Sequence, residues 1–107
     1  MATGRLYAPV QLGSGNTTVY IVPTGYYSVF NISLTNTSAS AVTIKLSLSS
    51  SATPNAQDAI EQQTTIVGYG VFERTGLVLQ AGYYVVASAS VGAVINAVIY
   101  GIETSTS

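Results

Sequence analysis

The segments SVFNISLTN (28–36) and AVTIKLSLS (41–49) alternate apolar and polar side chains with a period of two. In the first, Phe30, Ile32 and Leu34 fall on one face and Asn31, Ser33 and Thr35 on the other. In the second, Val42, Ile44, Leu46 and Leu48 oppose Thr43, Lys45 and Ser47. Successive side chains of an extended strand point to opposite faces, so this pattern predicts strands with one dry and one wet side and excludes helices over the same residues. The short polar connection TSAS between the two segments predicts an antiparallel hairpin.

The same reading predicts further strands at 17–22, 62–66, 76–79, 83–89 and 93–102, with a second hairpin-like junction at LQAGYYV (79–85). Breakers separate them: GSGN at 13–16, PTG at 23–25, SSSATPN at 49–55, GYG at 68–70 and the Ala81–Gly82 pair. The one helical candidate is PNAQDAIEQQ (54–63), where Pro54 suits a first turn and Asp58 and Glu61 suit the positive end of a helix dipole. Seven or eight short strands with frequent turns predict an all-β fold, a single antiparallel β-sandwich, immunoglobulin-like or jelly-roll-like in outline. One domain spans 1–107, with an N-terminal arm over 1–10 and a polar tail over 104–107 expected to fray.

Charge is scarce. Charged residues make up 7% of the 107-residue chain, three basic and four acidic, against roughly 25% in an average soluble domain. Arg5, Lys45 and Arg74 are too few and too scattered to neutralise a run of phosphates, so no nucleic-acid partner is expected. No apolar run reaches the length of a membrane span, and MATGRLYAPVQLG has no apolar core of an export signal, so neither membrane nor export is expected.

The chain has no histidine and no cysteine, which removes the commonest general base, the commonest metal ligands and the best nucleophile. Asp58, Glu61, Glu73 and Glu103 remain for acid–base work. Only Asp58 and Glu61 are close in sequence, and on one segment they do not face each other across a cleft as a glycosidase pair must. No enzyme activity, cofactor or metal site is expected. The triplets at Asn16, Asn31 and Asn36 match the glycosylation acceptor pattern but read as turn and strand asparagines without an export signal.

Two features stand out against this neutral background. There are eight tyrosines, with Tyr26–Tyr27 and Tyr83–Tyr84 adjacent and Tyr69 between two glycines. Adjacent strand residues diverge, so one of each pair is free to enter the core while the other meets solvent, a partner or a sugar. Core packing, a protein interface and a carbohydrate-stacking platform all suit such tyrosines. The second feature is the adjacent pair Glu73–Arg74. Their side chains diverge on a strand and cannot neutralise each other, so each takes water or another partner. The pair is read either as solvated charge guarding the apolar run GLVL, or as an anchor in which Arg74 finds Glu73, Glu61 or Glu103 at a subunit contact.

The opening MATGRL, the strand TTVYIVP, the alternating segments, DAIEQQTTI, GVFERTGLVLQAGYYVV and VIYGIE together resemble small virion structural proteins of tailed phages, notably of cyanophages and marine phages. The resemblance covers nearly the whole chain and is most specific over residues 70–82. It implies a non-enzymatic head decoration or cement protein, assembled in the host cytoplasm and resident in the virion. Its expected partner is the major capsid protein or another virion structural protein, with a homo-oligomer, a trimer favoured. A tail, neck or baseplate component is the nearest alternative, and a carbohydrate-binding β-sandwich the alternative from another class. The expected protein-interface residues are Arg5, Leu6, Tyr7, Tyr26, Tyr27, Glu73, Arg74, Tyr83 and Tyr84.

Overall fold

A computed structural model describes residues 3–6 and 10–105, and Tyr7 lies outside the described residues. The first sheet is built on β9 (Ile95–Ser105). Two edge segments, β1 (Thr3–Arg5) and β2 (Val10–Gln11), pair along one side of it, and β4 (Tyr26–Asn36) and then β7 (Val71–Leu79) follow on the other. The second sheet has the order β3 (Thr17–Ile21), β8 (Tyr84–Ala89), β5 (Val42–Ser49) and β6 (Ala59–Ile66). Every pairing is antiparallel.

The pairs β2–β9, β3–β8, β4–β7 and β5–β6 are nested one inside the next, as if one long hairpin had been wrapped into two layers. That nesting is the jelly-roll topology, and it decides between the two sandwich outlines that the sequence left open.

The alternation of β4 sends Phe30, Ile32 and Leu34 inward, and its antiparallel partner β9 adds Ile95, Ala97 and Ile99. From the second sheet come Val42, Ile44 and Leu46 of β5 and Val85, Ala87 and Ala89 of β8. Each fully buried Leu, Ile or Phe contributes about 1.5–3 kcal/mol, so this shared layer holds the sheets face to face.

Several sequence expectations are corrected by this topology. β4 and β5 do not form a hairpin, because the connection over 37–41 carries the chain from the first sheet to the second. The 80–83 turn between β7 and β8 does the same. Two alternating strands bury their apolar faces equally well by facing each other across a core as by lying side by side, and the pattern alone does not choose. The actual within-sheet hairpin is β5–β6, closed by the serine-rich stretch over 50–58.

The helical candidate is only a single 3₁₀ turn at Ala56–Asp58, where the Asp58 carboxylate accepts from the Asn55 backbone N–H at 2.7 Å. From Ala59 the chain is strand and pairs with β5, which satisfies its backbone more completely than a short helix. Thr104 and Ser105, expected in the frayed tail, are in register with Tyr27 and Tyr26. Within the expected arm, Thr3–Arg5 pairs with β9 of the same chain and Leu6 packs against the core.

Candidate interaction surfaces

Strand β7 separates the Glu73–Arg74 pair cleanly. Arg74 lies opposite Ile32, whose side chain is in the core, and so points toward the inside of the sandwich. Glu61 lies opposite the inward Leu46 on β6. Strands β7 and β6 are edges of different sheets, and the Arg74 guanidinium forms a salt bridge with Glu61 between them. The other Glu61 oxygen accepts from the Thr64 hydroxyl at 2.6 Å. Of the three acceptors weighed for Arg74, Glu61 is the one it uses, and the bond ties sheet to sheet within one chain.

Glu73 lies opposite Ser33 on the outer face of the first sheet and accepts from the Tyr100 hydroxyl at 2.6 Å across β4. That bond holds the Tyr100 phenol above its ordinary pKa. Asp58 and Glu61, neighbours in sequence, serve separate partners, a backbone N–H and a guanidinium.

A second tie between the sheets uses Glu103. Tyr20 of β3 reaches across the core, where its hydroxyl donates to the Glu103 carboxylate of β9 at 2.5 Å and meets the Ser28 hydroxyl of β4 at 2.6 Å. All three residues are buried. The Tyr20 ring packs edge-on to Phe30, with centroids 5.8 Å apart. Burial, and then the neighbouring Glu103, push the Tyr20 phenol well above its usual pKa. The two groups lie 83 positions apart, so no local pattern announces the contact.

The tyrosine pairs divide as strand geometry requires. Tyr27 is exposed on the outer face of the first sheet, while Tyr26 shares the inward alternation of Ser28 and Phe30. Tyr83 packs against the core and Tyr84 is half-buried on the outer side of the second sheet. These four tyrosines lie on different layers and do not form one stacking platform. The outer face of the second sheet has a shallow polar depression of about 250 Å³, lined by hydroxyl and amide groups with the Lys45 side chain, and no tyrosine borders it.

The outer face of the first sheet is different. Val29 pairs laterally with Val78 on β7 and with Ile102 on β9, and all three are exposed, with Tyr27 one step along β4. Arg5 is exposed on β1 beside Tyr100.

A third surface, at the end of the sandwich, lies outside the interface residues expected from sequence. The β6–β7 turn presents Val67, Tyr69 and Val71, with Tyr69 at 72% exposure. Its backbone is fixed. The Tyr69 N–H donates to Ser38 O at 2.9 Å, the Gly70 N–H donates to Val67 O at 2.8 Å, and a Cβ at Gly68 would lie 2.1 Å from Ala39 O. Tyr69 itself has φ 58, a left-handed conformation rare outside glycine.

The adjoining 37–41 connection is pinned by Asn36. Its side-chain amide donates to the carbonyls of Ser40, Ile66 and Val67, and its oxygen accepts from the backbone and hydroxyl of Ser38. Asn36 is fully buried, and its acceptor-pattern nitrogen is occupied by the protein itself. The sequence signal for this surface was Tyr69 between two glycines, which marks a constrained turn without showing that its side chain faces water.

Comparison with protein-family models, curated proteins and solved structures finds no match for this chain. The class defined by its own geometry is a β-sandwich of jelly-roll topology with two polar ties between its sheets and two exposed apolar surfaces.

Proposed function

We propose that the chain is a non-enzymatic structural protein of a phage virion, a head decoration or cement protein that binds and stabilises the lattice of the major capsid protein as a homo-oligomer, a trimer favoured. The observation that carries this reading is the β6–β7 turn, where Val67, Tyr69 and Val71 are exposed on a backbone locked by hydrogen bonds and close packing. Pre-ordered side chains lose little entropy on docking, and tyrosine is among the usual anchors of protein interfaces. Two further points support it. Jelly rolls recur in viral capsid domains, which is an analogy of fold. The sparse charge of this chain suits assembly onto a crowded particle more than life as a dispersed monomer.

Copy number per purified particle is the test. A number close to that of the major capsid protein supports decoration. A handful of copies moves the protein to the tail, neck or baseplate, and its absence from particles removes the virion reading. Tyr69→Ser is expected to lower occupancy on the shell while leaving the isolated domain folded, because the side chain is largely exposed.

A further inference from the structure

We infer that the outer face of the first sheet packs against further copies of this chain around a three-fold axis, with Arg5 of one copy meeting Glu73 of the next. This rests on the reading of the chain as an assembling subunit and names the surface that assembles it.

The face carries a lateral apolar row, Ile102, Val29 and Val78, on three adjacent strands, with Tyr27 beside it. Exposures of 48%, 43%, 61% and 39% respectively make it a contiguous patch and not scattered single residues. Its two borders bear opposite charges. Arg5 stands on β1, level with Tyr100 on β9 and Asn31 on β4, and Glu73 stands on β7, level with Ser33. Asn31 and Ser33 are one outward step apart, roughly 7 Å along the strand, a distance the arginine side chain spans. Arg5 has no carboxylate partner among the described residues, whereas Glu73 is held outward by Tyr100. A partner presenting the same face supplies each charge with its complement.

The dimensions favour three copies. Four strands spaced about 4.8 Å apart make a face roughly 19 Å wide. Three such faces turned inward as a triangular prism place each sheet about 5.5 Å from the axis, close to half the ~10 Å at which sheets pack face to face. The apolar row then fills the axis at one level. At each corner the β1 border of one copy adjoins the β7 border of the next, which brings Arg5 to Glu73.

The test is sedimentation equilibrium of the full chain and its variants, with circular dichroism as the check on folding. The wild type is expected to sediment at three times its 11.1 kDa monomer mass. Val29→Lys should give a folded monomer. Arg5→Glu and Glu73→Arg should each weaken association roughly tenfold or more, and the double reversal should restore it, which a merely local role for either residue would not produce. A monomeric wild type, a dimer, or single reversals that associate as the wild type does would each overturn the inference. Copy number per particle is measured separately, so a trimer absent from virions would sink the virion reading alone, and a decorating monomer would sink this inference and the homo-oligomer with it while leaving the decoration reading in place.

Discussion

Removing one oxygen atom tests the Tyr20–Glu103 tie. In Tyr20→Phe the ring stays, its edge-on contact with Phe30 stays, and no cavity larger than a hydroxyl is made. What is lost is a 2.5 Å bond to a carboxylate that is only 7% exposed and a 2.6 Å bond to the buried Ser28 hydroxyl. A hydrogen bond to a charged group contributes about 1.5–3 kcal/mol, and a buried acceptor left without its donor keeps the cost of its lost hydration. The expected loss of folding stability is therefore about 2–3 kcal/mol. The same reasoning gives a less obvious result for the double variant. Tyr20→Phe with Glu103→Leu removes the stranded charge with its donor, so it should be more stable than Tyr20→Phe alone, since paired apolar replacement is often close to neutral. Urea unfolding reads both, as a shift in midpoint at unchanged slope. A single variant within about 0.5 kcal/mol of the wild type, or a double variant less stable than the single, would refute the account of this bond as a tie between the sheets.

Three further outcomes follow from the geometry. Gly101→Ala would place a Cβ 2.2 Å from Val29 O and 2.7 Å from Phe30 Cα, forcing β9 away from β4, and thermal unfolding should show a loss of about 3 kcal/mol or more. Arg74→Ala should cost only about 1 kcal/mol in the same assay, because its side chain is 40% exposed and Glu61 keeps Thr64 and water, and a loss above about 3 kcal/mol would mean the pair is desolvated in an assembly. At alkaline pH the folded state holds the phenols of Tyr20 and Tyr100 protonated above the ordinary value near 10. The unfolded state releases these protons first, so the contribution of these two phenols to stability is constant below about pH 10 and falls as pH rises beyond it. A tyrosinate absorbance titration should show Tyr20 ionising only with unfolding, and smooth ionisation of every tyrosine in a folded chain would contradict this.

The layers of the fold were legible because alternation is local. Phe30, Ile32 and Leu34 report a strand and its buried face without reference to anything else. Which strand lies beside which was not legible, since a wrapped sandwich and a simple hairpin bury the same faces. Glu73 and Arg74 concealed the first half of β7, because charges interrupt the apolar period even when one of them points inward to an ion pair. Pro54, Asp58 and Glu61 imitate a helix start, and the pairing of Ala59–Ile66 with β5 overrides that local preference. Among the interaction residues, scarcity of charge was enough to single out Glu73 and Arg74. Tyr20 and Glu103 needed the topology, since nothing local links positions so far apart.

The placement of the few charges gives the adjacent pair Glu73–Arg74 its sense. A sandwich has four exposed edges, and an uncharged, Val- and Thr-rich edge invites strand addition by another chain. In this protein Arg5 lies on β1, Glu61 on β6, and Glu73 and Arg74 on β7, so three of the edges carry charge. The fourth, β3, carries none, but is five residues long and its register breaks between Thr18 and Tyr20, and both shortness and irregularity discourage pairing. Arg74 and Glu61 point inward from their edges, so an incoming strand against either would have to desolvate the pair or break it. Glu73 points outward and leaves the β7 edge guarded while marking the face beside it. Two adjacent residues thus divide two tasks. Arg74 closes the open side of the sandwich against unplanned pairing, and Glu73, held outward by Tyr100, is the charge that the proposed trimer would set against Arg5 of a neighbouring copy.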